Sequence, residues 1–165
     1  MNPEGEREFE AFYRQEQRRV LRLCYGVLGD IGLAQDAAQE AWVRYLRYAR
    51  GEPPQLSRPL LVTVALNAAR DLERRRRRRP EELHSDMVAY SAAQDAQDQD
   101  LIDAVHRLPA AEREAVIMHY ALDMPIAEVA AVLQKRSGAV KSLLHRARAH
   151  LRSMLIPEEE ISHGR

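Results

Sequence analysis

The amino-acid sequence predicts an all-α protein with two small helical domains, a flexible linker between them and a helix-turn-helix in the C-terminal domain. Apolar residues recur at every third or fourth position through most of the chain, which is the spacing of an amphipathic helix. Only seven of the 165 residues are glycine, and no stretch alternates polar and apolar residues as a half-buried strand does. The stretch 81–100 has weak periodicity and holds six acidic residues but no Lys or Arg, as a solvated linker would.

The N-terminal half predicts three helices, over residues 8–28, 33–49 and 59–78. Asp30 precedes the second helix and is suited to cap it, because its carboxylate can accept a hydrogen bond from a first-turn N–H group. A loop rich in turn-forming residues, 51–57, separates the second helix from the third.

The C-terminal half predicts a helix over 126–133, a short turn and a final helix that runs to about residue 155. This spacing is typical of a helix-turn-helix, in which the second helix enters the DNA major groove. The same pattern also fits an ordinary helical hairpin with a solvated basic face. The residues predicted to contact DNA from the exposed face of the final helix and its preceding turn are Arg136, Ser137, Lys141, Ser142, His145 and Arg148.

The domain boundaries follow from these elements and from the acidic stretch. Before the helix-turn-helix, a short amphipathic turn over 101–108 and a helix over 111–122 begin the second domain. The predicted organisation is a first domain over 1–79, a linker over 80–100, a second domain over 101–156 and a tail over 157–165.

The charge is segregated along the chain although the formal net charge is 0. Residues 74–79 are six consecutive arginines, and 137–154 holds four Lys or Arg, two His and no acid. Local basic surfaces separated by an acidic spacer favour nucleic-acid binding more than the average charge suggests.

Other classes of protein find little support in the sequence. The six histidines lack metal-ligand spacing, and the carboxylates form no recognisable acid–base pair, so we expect no enzyme activity and no cofactor. Cys24 lies in an apolar helical pattern and is expected to be a core residue. No apolar run approaches the length of a membrane span, and the first ten residues are acidic and polar, so we expect a cytoplasmic protein without membrane insertion.

Several motifs resemble the sigma factors of bacterial RNA polymerase. Residues 108–116, Tyr120, and residues 125–130, 138–142 and 145–151 resemble sigma region 4. The N-terminal half agrees independently, because residues 9–13, 28–30, 36–42 and 59–71, followed by the arginine run, resemble region 2. Nearly the whole chain is covered in family order, and the pattern is most similar to the short, two-domain extracytoplasmic-function group.

The resemblance implies that region 2 binds the β′ clamp of core RNA polymerase and helps to open the −10 element of the promoter. The residues that it places against polymerase are Asp36, Gln39, Glu40 and Arg44. In the family, the loop before the third helix captures a base flipped from the melted strand, which costs a few kcal/mol of unstacking. The residues that it places at −10 DNA are Ser57, Arg58, Asn67, Arg70, Arg74, Arg75, Arg77 and Arg78.

The resemblance further implies that region 4 contacts the −35 element and the β flap, and that an anti-sigma factor inhibits the protein. The recognition turn departs from the family pattern at three positions. Gln134 stands where glycine is usual, Ala139 replaces a threonine, and Leu143 replaces an arginine that often reaches DNA. Leu143 is expected to meet a thymine methyl group or a protein partner instead. The alternative function is therefore a sigma-like protein that does not initiate transcription, such as a decoy for an anti-sigma factor.

Overall fold

The computed structural model describes residues 1–51, 53–81 and 96–157. Within these residues the chain forms seven α-helices and one π-helical segment, and no strand. The structure divides into two compact units, Met1–Val88 and Ala89–Arg165. In the described part of the chain, no helix combines the length and the apolar character that a membrane span requires.

The first unit is built from three helices, α1 (Pro3–Leu28), α2 (Ile31–Ala49) and α3 (Arg58–Arg78), each of which packs against the other two. Alanine supplies many of the buried side chains of α2 and α3. The side chains that are almost fully buried in this core include Leu23, Cys24, Ala41, Tyr45, Leu61, Ala65 and Leu66. The predicted all-helical core of the N-terminal half is confirmed.

The ends of these helices follow from their capping residues. Asp30 Oδ1 accepts a hydrogen bond of 3.0 Å from the Leu33 N–H group, which confirms the predicted cap of α2. The predicted start of α1 at residue 8 is wrong by five residues. Asn2 accepts a 2.8 Å hydrogen bond from the Gly5 N–H group, and Pro3 has the fixed φ that suits a first helical turn.

The second unit contains α4 (Ala96–Arg107), α5 (Ala110–Val116), α6 (Ile126–Leu133) and α7 (Ser137–Leu155). Each of the first three helices packs against α7. The most buried large side chains of this core are Leu108, Met118, Leu122, Val129 and Leu144. The predicted helices at 126–133 and to residue 155 are confirmed.

Two predictions for the second unit are wrong in detail. The single helix predicted over 111–122 changes from α to π geometry at Ile117–Ala121. In this segment the Leu122 N–H group bonds to the Ile117 carbonyl at 3.1 Å, five residues back, and the left-handed conformation of Asp123 (φ 53°) then ends it. The short turn predicted over 101–108 is part of α4, which begins at Ala96, inside the predicted linker.

Alpha4 has local stabilisation that apolar periodicity alone does not reveal. Asp98 lies in its first turn, where a negative charge is favourable, and Gln99 donates a 2.9 Å hydrogen bond to Asp103 one turn later. The remainder of the predicted linker, residues 82–95, and most of the predicted tail lie outside the described residues.

Candidate nucleic-acid interface

The exposed face of α7 forms an open groove of about 590 Å³ lined by basic and polar side chains. On the opposite face, Val140, Leu144 and Ala147 are buried against the rest of the second unit. The helical repeat of 3.6 residues therefore separates an anchoring face from a solvent-facing one. The residues that line the groove are Lys141, Ser142, His145, Arg146 and Arg148.

The turn between α6 and α7 keeps a regular geometry although glycine is absent. Gln134 adopts the left-handed conformation that glycine most often supplies at the end of a helix, with φ 54° and ψ 46°. The Gln134 and Lys135 N–H groups bond to the carbonyls of Ala131 and Ala130, at 3.3 and 2.9 Å. These bonds close the end of α6, and both Arg136, which precedes α7, and Ser137, its first residue, are exposed.

Leu143 faces the core of the second unit, so the expectation that it meets a thymine methyl group or a protein partner is wrong. Its side chain is 6% exposed. It lies three residues after Val140 and one before Leu144, which places all three on the buried face of the helix. The residue that replaces the family's arginine therefore enlarges the core of this unit.

Alpha7 is also held by ionic contacts to α5. Glu112 is buried, and its Oε2 lies 2.7 Å from His150 Nδ1. Arg146 Nε lies 3.6 Å from the other oxygen of the same carboxylate. These contacts fix the middle and end of α7, so one edge of the groove has a defined position. Sequence reasoning missed Glu112 and His150, because residues 38 positions apart carry no local signal of their contact.

Alpha3 carries most of the side chains predicted to contact −10 DNA. Asn67 is exposed, Arg70 is half-buried, and Arg74, Arg75, Arg77 and Arg78 are exposed near the end of the helix. Arg76 differs from its neighbours, because its Nη1 donates a 2.8 Å hydrogen bond to the Leu28 carbonyl at the end of α1. It also pairs with Glu73. One arginine of the run thus holds two helices together while four others face solvent.

The two predicted residues before and at the start of α3 make their contacts within the fold. Ser57 Oγ accepts from the Leu60 N–H group at 3.4 Å and caps α3. The buried Tyr45 hydroxyl accepts from the Ser57 N–H group at 2.6 Å and donates to the Ser57 carbonyl at 3.1 Å. Arg58 donates through Nε and Nη2 to Glu16 Oε1, at 2.8 and 2.6 Å.

Glu16 explains why this end of the loop is fixed. Its side chain is only 2% exposed, and a buried carboxylate needs a paired charge to avoid a large desolvation cost. Burial, and secondarily the nearby Glu16 charge, raise the pKa of Tyr45 although its hydrogen bond with Ser57 opposes the change. The roles of Glu16 and Tyr45 were not predicted from the sequence, because nothing in it distinguishes either residue from the others on its helix.

Alpha2 presents the side chains predicted to bind polymerase. Asp36, Gln39 and Glu40 are exposed, and Arg44 is half-buried. Arg44 donates to Glu40 at 2.8 Å and to Asp71 of α3 at 2.9 Å. Hydrogen bonds to Asp71 and Glu40 raise the pKa of Arg44.

Two large apolar side chains on α2 were not predicted as part of this surface. Val43 is 47% exposed and Tyr48 is 62% exposed. Val43 lies one turn from Gln39 and Glu40 on the same helix, so apolar contact area adjoins the polar residues. Single exposed apolar side chains are common on protein surfaces, so Val43 extends the contact area available on α2 without by itself marking a binding surface.

Comparison with known proteins agrees with these two units. Residues 12–79 match the family described as "Sigma-70 region 2", and residues 98–151 match "Sigma-70, region 4". The RNA polymerase sigma-E factor of Streptomyces coelicolor is 33% identical over 158 residues, covering 92% of this chain and 88% of that protein. The ECF RNA polymerase sigma factor SigE of Mycolicibacterium smegmatis is 31% identical over 157 residues, covering 89% of this chain and 61% of that protein.

Solved structures share the fold. The sigma factor RpoE of Bartonella quintana, solved with the anti-sigma factor NepR, matches with a TM-score of 0.72 at 23% identity, covering 92% of this chain and 98% of that one. CnrH, solved with the cytosolic domain of CnrY, matches with a TM-score of 0.70 at 21% identity, covering 91% and 88%. The two family regions in order, together with relatives of this identity over nearly the whole chain, show that the protein belongs to the extracytoplasmic-function group of the sigma-70 family.

Proposed function

We propose that the chain acts as an alternative sigma factor, which binds core RNA polymerase and directs it to specific promoters. The observation that carries this proposal is the groove on α7, whose cationic side chains face outward from a helix-turn-helix held by a buried core. Cationic groups on such a helix can neutralise backbone phosphates while residues near its N-terminus reach base edges. The −35 contacts are assigned to Arg136, Ser137, Lys141, Ser142, His145 and Arg148.

The first unit is assigned the contact with the β′ clamp and the opening of the −10 element, and the second unit also meets the β flap. Asp36, Gln39, Glu40 and Arg44 would form the polar part of the clamp contact, with Val43 as its apolar neighbour. We assign residues 1–79 to region 2 and, because α4 begins at Ala96, residues 96–156 to region 4, joined by an acidic linker over 80–95 and followed by a tail at 157–165.

For −10 DNA, two kinds of role are assigned. Asn67 and Arg70 lie on α3, where they would hold the melted strand, and the exposed arginines 74, 75, 77 and 78 would lie against upstream phosphates. Ser57 and Arg58 are instead assigned to hold the base-capturing loop in position, because their hydrogen bonds run to Tyr45 and Glu16.

The proposed partners are core polymerase, promoter DNA and an anti-sigma factor. The last is supported by the two similar structures, each of a sigma factor or its relative solved with a second protein. The chain would have no catalytic activity of its own, since the polymerase makes the RNA. Because polymerase and chromosome lie in the bacterial cytoplasm, the protein would act there.

Reconstituted transcription tests the proposal. The purified chain is mixed with bacterial core polymerase and a promoter library, and transcripts are mapped for start sites that are absent without it. We expect new start sites that share a −10 and a −35 sequence. Failure to bind core polymerase would overturn the proposal, whereas binding without specific transcripts would favour the non-initiating decoy.

A variant pair then tests the α7 groove. Lys141→Ala combined with His145→Ala should abolish or redirect these start sites without reducing core binding, because both side chains line the groove. Arg107→Ala is the matched control, since it removes an exposed cation from α4 of the same unit. Equal transcription from both variants would show that α7 is not the reader.

A further inference from the structure

Tyr120 lies outside the helix-turn-helix but touches its DNA-facing helix. It belongs to the π-helical segment Ile117–Ala121, and its side chain is 50% exposed. Arg148 Nη1 donates a hydrogen bond of 2.7 Å to the Tyr120 hydroxyl, across 28 residues of sequence. Arg148 also lines the groove on α7, so Tyr120 stands at the edge of that groove.

The Tyr120 ring has a defined position before any ligand binds. Its edge-to-face contact with His119 places the two ring centroids 4.8 Å apart at 69°. His119 is itself fixed, because its Nδ1 lies 2.8 Å from the Met124 carbonyl. The hydroxyl is therefore presented at the groove by a packed ring whose immediate neighbour is held by the backbone.

The chemistry of the pair favours an anionic oxygen as its ligand. A phenol hydroxyl that accepts from Arg148 still has its own O–H to donate. A guanidinium has five N–H donors, of which this bond occupies one. Both groups thus offer donors, and the remaining charge is positive. A backbone phosphate of duplex DNA supplies acceptor oxygens and negative charge, which match a forked arginine and a neighbouring hydroxyl.

We propose that Tyr120 and Arg148 together clamp one backbone phosphate of duplex DNA at the edge of the α7 groove. This inference rests on the proposed DNA binding of α7 and adds a residue from the preceding π-helical segment to that surface. Tyr120 has a double role, since it orients the guanidinium and donates its own O–H to the phosphate. The contact carries no sequence information and would fix the register of α7 on DNA.

Binding of the full chain to a short mixed-sequence DNA duplex, followed by fluorescence anisotropy over a salt series, tests the clamp. Tyr120→Phe keeps the ring and removes the hydroxyl, so we expect affinity about fivefold weaker with an unchanged salt slope. Arg148→Ala should lower the magnitude of the log–log salt slope by about 0.9, the value for one phosphate contact. The loss caused by Tyr120→Phe should be smaller in the Arg148→Ala background than in the unmodified chain, because the tyrosine there has no guanidinium to orient.

Controls separate the clamp from the underlying proposal. Tyr13→Phe removes a hydroxyl from an exposed side chain of α1 that is assigned to no binding surface, and it should leave duplex binding unchanged. Lys141→Ala should weaken duplex binding regardless of whether Tyr120 contacts DNA. If the unmodified chain shows no salt-dependent binding, the DNA-binding role of α7 fails and the clamp with it. Two outcomes would overturn the clamp alone when the unmodified chain does bind. Either Tyr120→Phe binds the duplex as tightly as the unmodified chain, or its loss of affinity is equally large with and without Arg148→Ala.

Discussion

Arg76 is expected to contribute to folding, whereas its neighbour Arg75 is expected to contribute to DNA binding. The two side chains are adjacent in a run of six arginines, which gives a matched pair of substitutions. Arg76 bonds to the Leu28 carbonyl of α1 at 2.8 Å and pairs with Glu73, while Arg75 is exposed at the end of α3. Arg76→Ala removes a link between two helices, and Arg75→Ala removes a surface charge.

The size of the Arg76 effect follows from its contacts. A hydrogen bond from a charged donor contributes roughly 1.5–3 kcal/mol, and partial exposure places this one near the lower limit. The Arg76–Glu73 pair adds roughly 0–1 kcal/mol, because the arginine side chain is 31% exposed. We therefore expect Arg76→Ala to lower the free energy of unfolding of the first unit by about 2 kcal/mol. Arg75→Ala should change it by less than about 0.5 kcal/mol.

Urea denaturation followed by the fluorescence of Trp42, the only tryptophan, measures the first unit. Trp42 reports on α1 and α2, since its ring contacts Phe9, Phe12 and Tyr13. With an m-value of about 1 kcal/mol/M, the midpoint for Arg76→Ala should fall by about 2 M. The effects on duplex binding should be reversed: Arg75→Ala should reduce the salt slope, and Arg76→Ala should leave it unchanged. Equal midpoints for the two variants would refute the assigned roles.

Three further predictions concern other sites. Gln134→Gly should stabilise the second unit by about 1 kcal/mol, because glycine adopts a positive φ without strain, and amide exchange in α6 and α7 should slow accordingly. Cys24 should resist alkylation by iodoacetamide until the first unit unfolds, because burial raises the pKa of its thiol to about 12; rapid labelling at neutral pH would contradict this. Burial raises the pKa of Asp71, but hydrogen bonds from Arg44 and Arg74 outweigh it and lower the pKa below the ordinary 3.8. The unmodified chain should therefore be more stable than Asp71→Asn by a constant amount well above pH 3.8, and this difference should vanish as the pH falls through the lowered pKa of the folded state. A stability difference that persists in stronger acid would contradict the prediction.

The helices and their caps could be predicted because their signals are local. The periodic apolar residues of α6 and α7 were sufficient for both elements, and Asp30 capped α2 as its position indicated. The contacts between Arg58 and Glu16 had no such signal, since 42 residues separate them. The π-helical segment was missed for a related reason. Its apolar spacing is compatible with a regular helix, and the change of hydrogen-bond register depends on tertiary packing.

For Leu143 the local sequence pattern was correct, and the family resemblance gave the wrong prediction. The spacing of Val140, Leu143, Leu144 and Ala147 is i, i+3, i+4 and i+7, which by itself predicts one buried face. The resemblance to sigma factors placed position 143 at DNA because other members have arginine there. The physical pattern was the better guide, because a leucine at a helix position beside a core row gains more from burial than from exposure.

The buried Leu143 and the closed turn at Gln134 change what the departures from the family pattern mean. Both had favoured the non-initiating decoy, because both fall in the segment expected to read DNA. In the structure Gln134 ends α6 with two backbone hydrogen bonds, and Leu143 belongs to the core. Neither Gln134 nor Leu143 lines the groove, and Lys141, Ser142 and His145 remain exposed in it. Because position 143 carries no arginine, the proposed phosphate contact is assigned to other cations at the groove edge. Arg148, held by Tyr120, has the position and the donors to supply it.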